Sequence, residues 1–240
     1  MEKLNKFSIL IPVFNEGELI KETIEKILKN VKSNYELIIC YDFDEDNTIQ
    51  IIKENFKDSR ILFVKNLKSG FNSAIITGIQ KTNSDAVLIY MADDNVNSVI
   101  INDIFNMYNE GYEVVCPSRF IKNGKQEGGP FFKSLLTKFA SFILYNFLSF
   151  PVKDATNSFR LFSRSLLNNI KFESSRGFTL SFEITAKAHR LNYKMVEIPT
   201  KWKEREKGKS RFKLLSFLPL YLKWFFYIIN TQILKLYEKK

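Results

Sequence analysis

The side chains best suited to chemistry fall in four short segments. IPVFNE (11–16) joins Pro12, whose ring favours an extended exit from a strand, to Asn15 and Glu16, an amide and a carboxylate able to read a nucleobase or ribose. YDFDEDNT (41–48) carries Asp42, Asp44, Glu45 and Asp46, four carboxylates within five residues, with Thr48 placed to cap a following helix. MADDN (91–95) adds Asp93 and Asp94, and PSRF (117–120) supplies Arg119. Gathering that much negative charge is costly unless a cation or a donor-rich ligand answers it. Hard oxygen ligands of this kind suit Mg2+ or Mn2+, with diphosphate oxygens and water completing the shell. One Asp pair after a strand is more often a helix cap or a solvated turn, so the weight rests on the recurrence of such turns. Two cysteines and a single histidine are too few for most thiolate or imidazole metal chemistry. SGFNSAIITG (69–78) lacks the glycine spacing of dinucleotide binders, and no phosphate-binding Gly-Lys-Ser/Thr loop occurs. Hydride transfer and P-loop hydrolysis are therefore excluded.

These segments need a scaffold that brings them to one edge. The first 117 residues alternate β-branched runs with amphipathic periods, predicting strands at 7–13, 35–41, 60–64, 86–91 and 113–117. Between the first two, Ile20, Thr23, Ile24, Ile27, Leu28 and Val31 recur at helical spacing. The pattern predicts a doubly wound α/β unit with a mainly parallel sheet, in which ligands bind outside the carboxyl ends of the strands. The four segments lie at such ends. Gly70, Ala74 and Gly78 suit a helix pressed close to the sheet.

Residues 121–130 (IKNGKQEGGP) read as a mobile polar loop. An apolar helical pattern follows at 131–150, broken by Lys133 and Lys138, and is compatible with a core helix or with a membrane-surface helix. A second runs from 214 to 230, with Tyr221, Trp224, Phe225, Phe226 and Tyr227 clustered behind a segment (201–213) of seven basic and two acidic residues. A basic segment joined to an aromatic amphipathic helix predicts attachment to an anionic membrane surface. The expected division is a catalytic domain over 1–213 and an interfacial helix over 214–240.

The chain of 240 residues is 45% hydrophobic and 26% charged, as expected of a folded domain. Its net charge of +10 is polarised: residues 1–110 hold 12 Lys/Arg against 17 Asp/Glu, and the remainder 24 against 9. An acidic half would repel a nucleic-acid backbone, so nucleic acid is not expected as a partner. The opening MEKLNKFSIL has no signal-peptide pattern, predicting a cytoplasmic protein peripheral at the inner face of the cell membrane.

IPVFNE, the Asp-rich turn, GFNSAIITGI, the MADD turn, PSRF, DATNSFRLF, GFTLSFE and EIPTKWKEREKGKS occur in the order seen in family 2 glycosyltransferases. Across residues 6 to 215 the chain resembles the dolichol-phosphate mannose synthase type, the polyprenyl-phosphate glycosyltransferases. DATNSFRLF and EIPTKW with GKS are the specific part. The resemblance implies a GT-A fold, a nucleotide-sugar donor, Mg2+ or Mn2+, and inverting transfer to a lipid phosphate. It implies that Pro12, Asn15, Glu16 and Asp42 line the nucleotide site, and that Asp93, with Asp94 beside it, holds the metal. Arg119, Arg160 and the Lys209, Ser210, Arg211 run would meet acceptor and donor phosphates. Tyr41 and Met91 depart from the family pattern, where many relatives carry Asp; Asp44, Asp46 and Asp94 are the candidates to compensate. Transfer to a polysaccharide, with Asp94 or Glu183 as base, and a catalytically degenerate membrane-peripheral binding protein are the alternatives. A membrane-protein partner is compatible with the reading.

Some residues have plainer readings. Arg160 is placed to pair with Asp154, Glu183 to pair with an Arg or support the acceptor site, and His189 to lie on a helix surface. Phe159 and Phe178 read as core.

Overall fold

The computed structural model describes residues 5–128, 131–203 and 214–237, with side chains at 131–133 and 214–216 left aside. A seven-stranded sheet forms its centre, in the order β3-β2-β1-β4-β7-β5-β8. The strands are β1 (Phe7–Pro12), β2 (Tyr35–Tyr41), β3 (Ile61–Lys65), β4 (Ala86–Ile89), β5 (Val114–Ser118), β7 (Arg160–Ser163) and β8 (Met195–Pro199). All pairs are parallel except those of β7, which runs antiparallel to both β4 and β5. The five predicted strands form, with ends shifted by one or two residues. β7 and β8 went unpredicted: β7 is four residues long, and its RLFS sequence offers no alternation to read.

Alternation along β1 shows how the sheet divides two cores. Phe7, Ile9 and Ile11 face α1 (Leu19–Asn30), α2 (Asn47–Asn55) and α4 (Ile101–Asn109). Leu10, with Ile38 and Cys40 of β2, belongs to the opposite core with α3 (Phe71–Lys81), α6 (Arg164–Asn169) and α7 (Leu180–Arg190). α1 buries Ile20, Thr23, Ile24 and Ile27, the predicted stripe. In α3, a Cβ at Gly78 would stand 2.3 Å from Leu10 Cδ1 and 2.6 Å from Cys40 Sγ, so glycine is what lets the helix approach the sheet. Asp46 caps α2 by accepting from the Thr48 N–H at 2.9 Å, whereas Thr48, the predicted cap, sits inside the helix.

The stretch read as a mobile loop contains β6 (Lys125–Glu127), paired in parallel with β9 (Lys201–Lys203) as a two-stranded ribbon. The two apolar patterns are helical as predicted: α5 (Phe131–Phe147) and α8 (Leu214–Ile233). Each is two-faced. Ser141 and Leu144 of α5 are buried, while Phe139, Phe142 and Phe147 are exposed. Trp224 and Ile228 of α8 join the core against α7, and the Trp224 indole N–H donates to Ser174 Oγ at 2.9 Å. Leu222, Phe226 and Ile233 face outward. Among the described residues, no helix is long and apolar enough to cross a membrane. Residue 213, where the expected division falls, lies outside the described residues.

Candidate active site

A cleft of about 1320 Å³ opens at the carboxyl ends of β1, β2 and β4, where the strand order reverses. Pro12, Glu16, Asp42, Asp93, Asp94 and Arg119 all line it. The same space continues between α5 and α8, where Leu136, Phe139, Leu144, Tyr221 and Phe225 give it an apolar wall.

The acidic groups are held by short local bonds. Asp42 accepts from Asn66 Nδ2 at 2.7 Å and from the Gly70 N–H at 2.8 Å, fixing its carboxylate beside the start of α3. Gly70 takes φ +111°, a conformation few other residues tolerate. The MADDN turn is pinned through its carbonyls: Thr23 Oγ1 donates to Ala92 O, Lys26 Nζ to Asn95 O, and the buried Tyr90 hydroxyl to Asp94 O, all within 2.9 Å. Asp94 Oδ1 accepts the N–H groups of Val96 and Asn97, and Oδ2 accepts from Asn97 Nδ2. Burial pushes its carboxyl up, against the pull of those bonds. Asp94 thus caps the turn that Asp93 extends into the cleft.

Among the described residues, no three carboxylate, imidazole or thiol groups converge into a metal cage. Asp93 and Asp94 nevertheless fit a Mg2+ or Mn2+ ion of the type that takes one or two carboxylates and fills its shell with phosphate oxygens and water. Of the three candidates to compensate for the missing aspartates, Asp94 lines the cleft beside Asp93, and Asp44 and Asp46 do not join them. Asp44 is exposed and paired with Lys65, and Asp46 is spent on the α2 cap and on the Asn15 N–H.

Arg119 forms a two-pronged ion pair with Asp154: Nε and Nη2 each stand 2.7 Å from a carboxylate oxygen, and the Arg119 N–H adds a third bond at 3.0 Å. The Asp154 side chain is fully buried and that of Arg119 only 12% exposed. Burial alone would raise the Asp154 carboxyl, but the Arg119 charge and hydrogen bonds hold it below the usual range. The sequence pairing of Arg160 with Asp154 is thus corrected: the Asp154 carboxylate belongs to Arg119. Arg160 is wholly buried, donates to the Asp154 backbone carbonyl and to Thr185 Oγ1, and does not line the cleft. It braces the pair from behind the cleft lining.

Several other expectations change. Asn15 is exposed at φ +51° and stays outside the cleft wall, its neighbours Phe14 and Glu16 lining it instead. Glu183 is fully buried, accepting from Lys187 Nζ and from the N–H groups of Glu173 and Ser174. Its partner is a lysine, and it does not line the cleft. His189 is buried between Phe150 and Tyr237, and desolvation lowers its pKa to about 4. Phe159 and Phe178 both line the cleft, Phe159 from a buried position. Lys209, Ser210 and Arg211 lie outside the described residues. Lys201, Trp202, Lys203 and Tyr221 line the cleft and went unassigned as site residues, since nothing in their spacing marks a sheet edge.

The model of glycosyl transferase family 2 matches residues 8–171, which includes the whole acidic side of the cleft and Arg119. The chain is a family 2 glycosyltransferase. It is 26% identical over 214 residues to a dolichol-phosphate mannosyltransferase of Pyrococcus furiosus, a match covering 87% of this chain and 59% of that protein. It is also 28% identical over 176 residues to the uncharacterized glycosyltransferase YkcC of Bacillus subtilis, covering 71% of this chain and 53% of that one. The chain thus spans between half and three-fifths of the length of these curated relatives. Among solved structures, the glucosyl-3-phosphoglycerate synthase of Mycobacterium tuberculosis with UDP superposes with a TM-score of 0.68 at 16% identity, covering 94% of this chain and 79% of that one. The same enzyme with Mn2+, UDP and phosphoglyceric acid gives 0.67 at 17%, covering 95% and 78%. The family 2 glycosyltransferase has the GT-A fold that the sequence predicts.

Proposed function

We propose that this chain transfers a sugar, with inversion, from a GDP- or UDP-linked donor to a polyprenyl phosphate, working as a peripheral protein at the cytoplasmic membrane face. The observation that carries the reading is one continuous cleft that holds the Asp42 and Asp93 carboxylates, Arg119, and an apolar wall between α5 and α8. A nucleotide-sugar needs the first part, and an isoprenoid phosphate needs the other two. The solved glucosyl-3-phosphoglycerate synthase binds UDP and Mn2+ within the same fold, and the Pyrococcus furiosus relative supports a lipid acceptor.

The chemistry follows from the acceptor. A phosphate monoester with a second pKa of about 6 is already ionised at neutral pH, so its oxygen attacks the anomeric carbon without a general base. As that bond forms, the bond from carbon to the nucleotide diphosphate breaks, and the diphosphate leaves with its electron pair. Neither of the two candidate bases is then required: Glu183 is bonded by Lys187, and both Asp94 oxygens accept bonds from Asn97. What the protein supplies is alignment and positive charge, since two anions approach each other. Arg119, oriented by Asp154, is the candidate for the acceptor phosphate. A divalent ion held by Asp93 with Asp94 would neutralise the diphosphate as it leaves. The exposed apolar faces of α5 and α8 would rest on the bilayer, leaving the cleft open to lipid.

The test is a transfer assay with purified protein, Mg2+ or Mn2+, polyprenyl phosphate in detergent, and a panel of GDP- and UDP-sugars, reading lipid products by mass. A lipid heavier by one glycosyl unit is expected, and Asp93→Ala is expected to lose it while keeping its unfolding transition. Full activity in Asp93→Ala would remove the metal assignment. Nucleotide binding with no lipid product across the panel would remove the acceptor assignment.

A further inference from the structure

Asn97 belongs to no motif, yet its side chain is fully engaged at the cleft. Nδ2 donates to Asp94 Oδ2 at 2.8 Å and to the Lys201 carbonyl at 2.7 Å. Oδ1 accepts from Thr200 Oγ1 at 2.8 Å and from the Lys201 N–H at 3.2 Å. An asparagine amide offers two donor hydrogens and two acceptor lone pairs, so every capacity is used. The residue is 5% exposed, and its own N–H donates to Asp94 Oδ1.

The partners come from two parts of the chain. On one side is the acidic turn. On the other is the start of β9, whose Lys201, Trp202 and Lys203 form part of the cleft wall. Among the described residues, β9 pairs only with β6 and over three residues, and an isolated two-stranded ribbon of that length is not stable in water. The pairing sets Lys125 opposite Lys201 and Glu127 opposite Lys203, so like-charge and opposite-charge pairs offset one another across it. Thr200 is tied to the main sheet by a bond from its N–H to Ser118 O. Beyond that anchor, Asn97 provides the side-chain bonds, given above, that fasten Lys201 to the acidic turn.

We propose that Asn97 is a positioning residue: it holds the Lys201–Trp202–Lys203 strand at a fixed separation from the Asp93–Asp94 turn, so that a cationic wall faces the acidic turn across the anionic acceptor. The identity of that acceptor rests on the function proposed above. Arg119, the β9 residues and the apolar residues of α5 and α8 all line the same cleft.

Asn97→Ala removes all four side-chain bonds, and Thr200→Val removes one at nearly constant volume. Amide hydrogen exchange, which needs no substrate, is expected to quicken about tenfold at 200–203 in Asn97→Ala, and less in Thr200→Val, with β1 unchanged. In the transfer assay the acceptor KM is expected to rise about fivefold or more in Asn97→Ala, with donor KM and kcat within about twofold. General destabilisation would lower kcat through the active fraction and leave the acceptor KM in place. Unchanged exchange at 200–203 in both variants would overturn the proposal. So would faster exchange with an unchanged acceptor KM, or with an equal rise in donor KM. If the wild-type protein transfers nothing to polyprenyl phosphate, the acceptor reading fails and the exchange measurement alone decides the role of Asn97.

Discussion

Asp154 shows what one buried carboxylate does when it is answered by charge. It accepts three bonds from Arg119, accounts for that guanidinium's orientation, and meets Arg160 only through its backbone carbonyl. Replacing it would leave the buried Arg119 guanidinium without its carboxylate. Breaking a buried pair in this way costs about 3–5 kcal/mol. Asp154→Ala is therefore expected to lower the unfolding free energy, measured by urea titration, by an amount in that range, whereas Lys65→Ala, which breaks the exposed pair with Asp44, is expected to change it little. Equal effects of the two substitutions would show that the Arg119 pair contributes no more than a surface pair. Arg119 and Asp154 both lie in segments that the sequence marks. Their pairing was not legible, because two arginines compete for one aspartate and only the packing of β7 against β5 decides between them.

Helices α3, α5 and α8 carry the consequences at the next scale. α3 reaches the sheet only because Gly78 has no side chain. Gly78→Val would drive methyl groups into Leu10 and Cys40 and is expected to destabilise by about 1–3 kcal/mol, measured by denaturant titration. α8 divides its work between its faces. Deleting 214–240 would strip Trp224 and Ile228 from the core, so loss of vesicle binding in that truncation would report unfolding. Phe142→Glu with Phe226→Glu changes only exposed positions. The pair is expected to reduce co-sedimentation with anionic vesicles about tenfold or more while the unfolding temperature stays within a few degrees. Undiminished sedimentation would move the membrane contact elsewhere. A helical period with aromatic residues announced both helices. Which face turned inward could not be read from it, since α8 is apolar nearly all round and its orientation depends on the partner surface of α7.

At the scale of the whole molecule, His189 and Asp154 are two of the groups the fold moves, and they act in different pH ranges. His189 is lowered to about 4 by burial, from an unfolded value of about 6.5. Between those values the unfolded chain binds a proton and the native one does not, so stability falls as pH drops from about 6.5 to about 4 and levels off below. The loss should be about 3 kcal/mol. His189→Gln is expected to flatten this slope in urea titrations at pH 7 and pH 4.5, and an unaltered slope would assign it to other groups. Asp154, held low by Arg119, contributes stability that is present above an unfolded pKa of about 3.9 and is lost as pH falls through its lower native value. The two losses are therefore successive.

The sequence by itself determined the α/β class, five of the strands, the helical stripes, the close approach at Gly78, the acidic turns at the strand ends and the family resemblance. All of these depend on residues near one another in the chain, where periodicity and turn chemistry express themselves directly. Tertiary structure decided which of the four carboxylates after β2 faces the cleft and that Arg119 holds Asp154. It also decided that Glu183 and His189 are interior, and that Asn97 ties the acidic turn to β9. Each of these turns on contacts between distant segments. A side chain such as Asn97, satisfied by partners 103 and 104 positions away, leaves no local pattern to read.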